Sequence, residues 1–318
     1  MSRFLAMATL LFCAALSGAR AAEPAAKPLR IIVNLPPASS MDLVARALAD
    51  AMSQDGGAVV FVENRPGGAG TLAAEAVARA APDGKTLLVS GVDAIVFAFI
   101  SANRKPFDPF TDFMPIARLT RDHWVLAVSP ALGVNSVAEL IAFARAHPGA
   151  VTYASTGNGG SIHLMGERFR QGAGIEAAQV PYKESYLPDL IAARVSYVVH
   201  ITAAVGPHIK AGKLKGLAVF SAERIAYLPG VPSIAEAGFP NLEFNAGVAL
   251  YAPGGTPRQT VLQLNQRVNR ALASESVLRR FAELGVDAVP GDPDDAARYV
   301  GENLARLRRM REATFGTP

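Results

Sequence analysis

Cysteine is almost absent from this chain of 318 residues, and the one that occurs, Cys13, lies in an apolar run near the N-terminus. The residue before it, Phe12, is bulky where a lipid-attachment site needs a small residue, so we do not expect a lipoprotein. Beyond this run the sequence has no cysteine, which excludes disulfides and cysteine-ligated metal from the rest of the protein.

A strong excess of charge of either sign is also lacking. The chain carries 31 Lys+Arg against 27 Asp+Glu, and two of the basic residues, Arg3 and Arg20, fall in the N-terminal segment. That balance excludes the basic footprint of a nucleic-acid-binding protein. The basic residues between Arg306 and Arg311 fall near the end of a predicted C-terminal helix, where they complement the helix dipole and are expected to be solvated.

Common catalytic and metal-binding motifs are missing. The five histidines show neither H-x-x-x-H nor H-E-x-x-H spacing, so no metal site is expected. No G-x-S-x-G elbow occurs, and the glycine-rich residues 65–70 are not followed by the Gly-Lys-Ser/Thr of a phosphate-binding loop. We therefore expect neither an enzyme nor a cofactor, although residues spread along the sequence could still build an active site.

The N-terminus has the order of a secretory signal peptide. Arg3 supplies a positive start, and residues 4–18 form an apolar run too short to span a bilayer comfortably. Ala19-Arg20-Ala21 then offers an A-x-A cleavage site. Residues 1–21 are therefore predicted to be a signal peptide cleaved near Ala21, with the mature protein in the periplasm.

The rest of the chain alternates short β-branched runs with amphipathic ones. Strands are predicted at residues 29–35, 58–62, 86–90 and 151–155, and helices at residues 41–52, 71–81, 162–171, 258–273 and 294–313. Strands that alternate with helices indicate βαβ units, so we expect an α/β protein with mainly parallel sheets flanked by helices. The length suggests two domains.

Several motifs resemble those of the extracytoplasmic receptors of tripartite tricarboxylate transporters, the Bug (TctC-like) family. They occur in family order at residues 62–71 (VENRPGGAGT), 81–88 (APDGKTLL), 156–163 (TGNGGSIH), 180–183 (VPYK), 228–233 (LPGVPS) and 252–257 (APGGTP). Each motif alone is weak, but the ordered set, which extends from about residue 30 to about residue 290, is specific.

The resemblance implies a two-lobed, type II-like periplasmic-binding-protein fold that closes around a ligand. Lobe 1 is predicted to combine residues 28–127 and 250–318, and lobe 2 to span residues 128–249. The two crossings between the lobes are predicted near residues 126–129 and 247–251. The implied function is capture of a small carboxylate for the membrane subunits of such a transporter, by a receptor that is expected to be monomeric.

The first of two loops with suitable chemistry follows the first predicted strand and opens a helix. Helix N-termini present free N–H groups and a positive dipole, so they attract carboxylates. The resemblance assigns ligand binding to Pro37, Ala38, Ser39, Ser40 and Asp42. The serines could instead be plain N-caps, and Asp42 could merely complement the helix dipole.

The second loop has the same position after a strand. Its members are Thr156, Gly157, Asn158, Gly159, Gly160 and Ser161. Its glycines allow a ligand to approach the backbone, and its side chains supply donors. His163 and Tyr182 are further candidates, each of which could equally be a packed core residue, just as Ser161 could be a cap. Neither loop contains Lys or Arg, so neutral donors and two helix dipoles would bind the ligand.

Some positions depart from the family pattern. Pro37, Ser39 and Ser40 stand where the family has an aromatic residue and a glycine pair, and Glu184 stands where it has glycine. A carboxylate near the cleft could favour a ligand with an ammonium group, whereas an exposed turn is the plainer interpretation of Glu184. These departures are expected to alter ligand choice more than fold. A ligand-sensing module for a signalling partner is the alternative function that the sequence leaves open.

Overall fold

The computed structural model describes residues 28–55, 58–95, 107–157 and 160–316. The predicted signal peptide, residues 1–21, lies outside this part of the chain, as do the predicted site residues Asn158 and Gly159.

The first sheet contains five strands in the order β2-β1-β3-β11-β4. Their bounds are β1 (Leu29–Val33), β2 (Val60–Asn64), β3 (Thr86–Gly91), β4 (Phe113–Arg118) and β11 (Val248–Pro253). Helices α1 (Ser40–Gln54), α2 (Thr71–Ala78), α7 (Arg258–Leu272) and α8 (Glu275–Leu284) accompany these strands. Apart from Arg30, strand β1 is apolar on both faces, which fits the helices that cover both sides of the sheet.

The second sheet is built around strand β5. Its strands are β5 (Thr120–Val128), β6 (Thr152–Ser155), β7 (Ala178–Pro181), β8 (Tyr197–Ile201), β9 (Lys215–Val219), β10 (Asn245–Ala246) and β12 (Val286–Ala288). The order is β10-β5-β8-β6-β7, with β9 and β12 also paired to β5. The accompanying helices are α3 (Val137–Ala146), α4 (Ser161–Ala173), α5 (Leu187–Ile191) and α6 (Thr202–Lys210).

The predicted two-lobed α/β fold is confirmed, with both sheets mixed rather than mainly parallel. Strands β1, β2 and β3 pair in parallel, and so do β6, β7 and β8. The antiparallel pairs involve β5 and β11, the strands that follow the two passages of the chain between the sheets. After each passage the chain runs opposite to the parallel strands of the sheet that it enters, so β5 and β11 pair antiparallel with their neighbours.

The first passage between the sheets lies earlier than the sequence suggested. Strand β4 ends at Arg118 and β5 begins at Thr120, so the chain passes between the sheets at Leu119. Residues 126–129, the predicted crossing, are instead the far end of β5, which ends at Val128 and pairs with β8 and β9, and the Ser129 that follows it. The second passage lies at Gly247, between β10 and β11, as predicted.

Helix α9 (Pro293–Phe315) completes the fold. It packs on β4 of the first sheet and on α4 of the second lobe, so the C-terminal segment contacts both lobes. Strand β12 likewise joins the second sheet, although lobe 1 was predicted to hold this segment. The exact division of the chain into lobes remains a prediction. Within the described residues, no helix is both long and apolar enough to cross a membrane.

Candidate functional site

The two predicted loops lie at facing edges of the two sheets. Gly91, at the carboxyl end of β3, pairs with Val248 beside the second passage, and β1 runs parallel to β3. In the other sheet Ile201, at the carboxyl end of β8, pairs with Trp124 near the start of β5, and β6 runs parallel to β8. The carboxyl ends of both parallel sets therefore point toward the passages, which is where ligands bind in open α/β sheets.

The first loop is held in an unusual backbone conformation. Ser39 is the N-cap of α1, and its hydroxyl accepts from the Asp42 N–H at 3.3 Å. Ser40 is the first helical residue, so capping belongs to Ser39 alone. Ala38 has a φ of +63°, which L-residues adopt at a cost of roughly 1–2 kcal/mol. Its amide hydrogen is thereby directed at the Asp42 carboxylate, to which it donates at 2.9 Å.

Asp42 organises this loop from a buried position. Its Oδ2 accepts from the Ala38 N–H and from Arg46 Nε at 2.9 Å, and its Oδ1 accepts from Asn64 Nδ2 at 2.8 Å. Burial alone would raise the pKa of Asp42, but hydrogen bonds from Arg46, Asn64 and Ala38 outweigh burial, and the pKa is lowered. The carboxylate is thus an acceptor for loop and helix groups, and a direct contact with a ligand remains a prediction.

The second loop is shaped by the serine before it. Ser155 Oγ accepts from the Gly157 N–H at 3.3 Å and from Gln179 Nε2 at 2.7 Å. Gly157 has a φ of +114°, a conformation that favours glycine. Thr156 is exposed at the start of the loop. Gly160 is the N-cap of α4, so the first N–H groups of this helix are not capped by a side chain.

Ser161 is the first residue of α4. It is not the N-cap of that helix, so the alternative interpretation of Ser161 as a cap is wrong. Ser161 lies near Asp93, a residue that sequence reasoning missed: burial raises the pKa of the Asp93 carboxyl, and the Ser161 hydroxyl lowers it in part. Asp93 follows β3 in a helical turn at residues 92–95. The two lobes therefore approach each other at these residues. The signal that could have found Asp93 is the strand-end rule that identified the two loops, applied to the third predicted strand as well.

Comparison with known proteins identifies the family. A family model described as the tripartite tricarboxylate transporter family receptor matches residues 44–314. The chain belongs to this receptor family. BugT of Bordetella pertussis is 34% identical to it over 284 residues, which are 88% of this chain and 87% of BugT.

Two solved structures of similar proteins contain carboxylates. Rpa4515 of R. palustris, solved with adipate, is 32% identical with a TM-score of 0.81, and the match covers 91% of this chain and 97% of that one. MatC (Rpa3494) from Rhodopseudomonas palustris, with bound malate, is 28% identical with a TM-score of 0.78, over 89% and 98% of the two chains. These similarities extend over both lobes.

His163 and Tyr182 make contacts within the receptor. His163 packs between Tyr153 and Phe315, with ring centroids 6.3 and 4.6 Å away, and burial lowers the pKa of its imidazole. Tyr182 donates its hydroxyl to Asp189 Oδ2 at 2.9 Å. These contacts favour the packed interpretation of both side chains, and a role in binding remains a prediction. Glu184 is exposed, in agreement with the plainer interpretation of that position.

A polar cluster surrounds the two passages. Thr120 Oγ1 donates to Asp122 Oδ1 at 2.6 Å and accepts from the Val248 N–H at 3.0 Å, which ties β5 to β11. Burial raises the pKa of Asp122 to about 6. The Arg118 guanidinium stacks 3.8 Å from the centre of the Tyr299 ring. A cavity of about 470 Å³ beside this stack contains no residue of either loop; its lining is Arg118, Arg121, Tyr299, Glu302, Asn303 and Arg306.

The described residues offer no arrangement for a metal. No group of three or more His, Cys, Asp or Glu side chains among them is placed to hold an ion. The chemistry available at the facing loops is hydrogen-bond donation from hydroxyls and helix N-termini, and the Asp42 carboxylate is taken up by its own hydrogen bonds. Such a set can bind and orient a small polar molecule.

Proposed function

We propose that this protein is an exported receptor that binds a small carboxylate between its lobes and delivers it to the membrane subunits of a tripartite tricarboxylate-type transporter. The observation that carries the proposal is the placement of two helix N-termini, those of α1 and α4, at facing edges of the two sheets. Each end brings unpaired N–H groups and a positive partial charge toward the space between the lobes.

The chemistry of the loops favours an anionic ligand that is captured and not transformed. The candidate donors are the hydroxyls of Ser40 and Thr156 and the backbone N–H groups beside Gly157 and Gly160. None of these groups is a nucleophile paired with a base, so the proposal includes no turnover. The adipate in Rpa4515 and the malate in MatC support a carboxylate of similar size for this receptor.

When the lobes close, both loops would contact the ligand at the same time, so both would contribute to the binding energy. A ligand that contacts both lobes stabilises the closed arrangement, because it binds that arrangement better than the open one. The passages at Leu119 and Gly247 are the places where the backbone would bend. The predicted signal peptide is the basis for proposing periplasmic delivery, and the receptor is proposed to act as a monomer.

Calorimetric titration with adipate and malate tests the proposal. Thr156→Ala and Ser40→Ala each remove one hydroxyl, on opposite lobes, and a hydrogen bond to a charged group contributes about 1.5–3 kcal/mol. Each variant should therefore weaken binding by roughly tenfold or more. Ser136→Ala is the matched control, because Ser136 is the N-cap of α3, outside both loops, and the loss of a cap lowers stability by about 1 kcal/mol and should leave intrinsic affinity nearly unchanged.

Three results would count against parts of this proposal. The clamp assignment is wrong if Thr156→Ala and Ser40→Ala bind a verified ligand as tightly as the parent. The receptor proposal itself is wrong if the bound acid is steadily converted to product, as judged by mass analysis of the solution. A change in affinity after chelation with EDTA would also contradict it.

A further inference from the structure

Three arginines line a cavity beside the first passage between the sheets. The cavity has a volume of about 470 Å³, and no described residue of the two loops lines it. Arg118 is the last residue of β4, Arg121 is the second residue of β5, and Arg306 lies on α9. Glu302 is the one acid among the described lining residues, and its exposed position lets solvent screen its charge. The lining therefore carries two more positive charges than negative ones.

One wall of the cavity is a single side of α9. Its members have the i, i+3, i+4, i+7 spacing of one helix face: Tyr299, Glu302, Asn303 and Arg306. Asn303 connects two of them, because its Nδ2 donates to the Tyr299 carbonyl at 2.8 Å and its Oδ1 accepts from Arg306 Nη2. The Arg306 guanidinium also lies 4.7 Å from the centre of the Phe244 ring. Arg306 is therefore held at the cavity by contacts with Asn303 and with Phe244.

The charge of Arg118 is only partly solvated. Its Nε donates to the Thr120 carbonyl at 3.1 Å, and its guanidinium stacks 3.8 Å from the centre of the Tyr299 ring. Its Nη2 is buried and has no hydrogen-bond partner among the described residues. A Cβ built on Gly247 would lie 3.3 Å from Arg118 Nε and 2.9 Å from the Tyr299 hydroxyl, so the stacked pair also lies against the second passage. The guanidinium is thus fixed beside both passages and partly withdrawn from water.

Neither Arg118 nor Arg121 forms an ion pair with a described residue. Burial lowers the pKa of the Arg118 guanidinium and the charge of Arg121 lowers it further, whereas Tyr299 and Asp122 offset this only in part. Water in the cavity can accept from free N–H groups but does not neutralise a positive charge. An anion does both, and its hydrogen bonds from arginine are of the stronger, charge-assisted kind.

A second cavity adjoins the first and contains acids. It has a volume of about 290 Å³, shares Arg118 and Tyr299 with the larger cavity, and is also lined by Asp292 and Asp295. Asp292 is the N-cap of α9 and accepts from the Asp295 N–H at 2.7 Å, while the Asp295 carboxylate forms an ion pair with Arg298. These carboxylates are thus used within the first turn of α9. An anion is therefore expected in the larger cavity, away from them.

We propose that the larger cavity binds a small tetrahedral oxyanion with two negative charges, such as inorganic phosphate, at a site separate from the two loops. The charge of such an ion equals the excess of positive charge in the lining. The arginines approach the cavity from three elements, β4, β5 and α9, and a tetrahedral ion presents oxygens in as many directions. Arginine suits it because the planar fork of N–H groups matches two oxygens at once.

The site has a consequence for the passages. Arg118 and Arg121 lie on opposite sides of Leu119, where the chain passes from one sheet to the other. An ion that contacts both side chains holds the two ends of this passage at one spacing. It therefore favours the arrangement of the lobes that has that spacing. The inference does not depend on the identity of the ligand between the lobes.

Calorimetric titration of the mature protein with inorganic phosphate and with sulfate tests the inference. The protein is kept in buffer of low ionic strength without either ion, and sodium chloride at matched ionic strength is the control for general screening. One phosphate should bind per chain, and sulfate should compete with it. Arg118→Gln should weaken phosphate binding by roughly tenfold or more. Arg121→Gln should weaken it by roughly two- to fivefold, because Arg121 is exposed and solvent screens its charge.

Arg309→Gln is the matched control, because Arg309 is exposed on α9 outside the cavity lining and the variant removes the same charge. It should bind phosphate as the parent does. The urea midpoint shows that each variant is folded, and the exposed Arg121 keeps the test decisive if Arg118→Gln does not fold. Phosphate that binds no better than chloride at millimolar concentrations overturns the inference. Parent-like phosphate binding in Arg121→Gln and in a folded Arg118→Gln also overturns it, and so does an equal loss in Arg309→Gln and Arg121→Gln. The proposed carboxylate receptor stands or falls separately, on the titrations with adipate and malate.

Discussion

The replacement Asp42→Asn tests how the first loop is held. In the parent, the two carboxylate oxygens accept from the Ala38 N–H, Arg46 Nε and Asn64 Nδ2. Asparagine keeps the shape of the side chain but has one oxygen. Its amide nitrogen is a donor, and in either orientation it would face another donor. Asn64 is held as it is by a second bond, from its Nδ2 to the Leu35 carbonyl at 3.0 Å. One charge-assisted hydrogen bond is lost if the amide nitrogen takes the Oδ1 position and two if it takes the Oδ2 position, so at least one is lost either way.

The loss of one such bond should lower the free energy of unfolding by about 1.5–3 kcal/mol. The part of the effect that comes from Arg46 is small, because the Arg46 side chain is 46% exposed and its ion pair is screened by solvent. The melting temperature should fall by roughly 3–12 °C. Ligand affinity should fall as well, since a neutral side chain with one oxygen holds the strained Ala38 backbone and its loop less firmly than the carboxylate does.

The pH dependence gives the prediction a second test. The folded-state pKa of Asp42 is lowered, so its contribution is present above the unfolded-state value of about 3.9 and is lost as the pH falls through the folded value. Urea unfolding should therefore show the full difference between parent and Asp42→Asn at pH 7 and a smaller one below about pH 4. Equal stability of the two proteins at pH 7 would refute the reasoning.

Two further predictions concern the loop and the passages. Ala38→Gly should raise the free energy of unfolding by about 0.5–1 kcal/mol, because glycine adopts the positive φ without strain but is freer when unfolded; a lower melting temperature in this variant would contradict the strain argument. Asp122 has a folded-state pKa raised to about 6, so its ionisation removes stability as the pH rises from about 4 through 6. Asp122→Asn should therefore be more stable than the parent at pH 8, by on the order of 3 kcal/mol, and closer in stability to the parent at pH 4.5. Urea titrations at the two pH values measure both differences. The same difference at pH 8 and pH 4.5 would contradict the prediction.

Much of the fold could be predicted from local pattern. The predicted strand at residues 29–35 and helix at residues 41–52 correspond to Leu29–Val33 and Ser40–Gln54, and the predicted C-terminal helix corresponds to Pro293–Phe315. The first passage was misplaced because β5 begins with the polar residues 120–123, which do not read as a strand. Their pairing partners, β10 and β12, are short and distant in sequence, so only the folded chain reveals them.

The candidate site could be predicted in position but not in its internal contacts. The strand-to-helix turns identified both loops, because helix N-termini at strand ends follow from local sequence. Ser39 is the N-cap of α1 and Ser40 is its first helical residue. The sequence does not show at which of two neighbouring serines the helix begins. The closeness of Ser161 to Asp93, whose pKa it lowers in part, depends on how the two sheets face each other.

A native mass spectrum of the freshly purified periplasmic protein tests the central claim most directly. The account predicts one small molecule bound per chain, with a mass and fragmentation that identify a carboxylate. The molecule should be displaced unchanged by an excess of a competing acid. A protein that retains no small molecule after mild purification and binds no acid on titration, or one whose bound molecule lacks a carboxylate, would contradict the claim that the receptor captures carboxylates between its lobes.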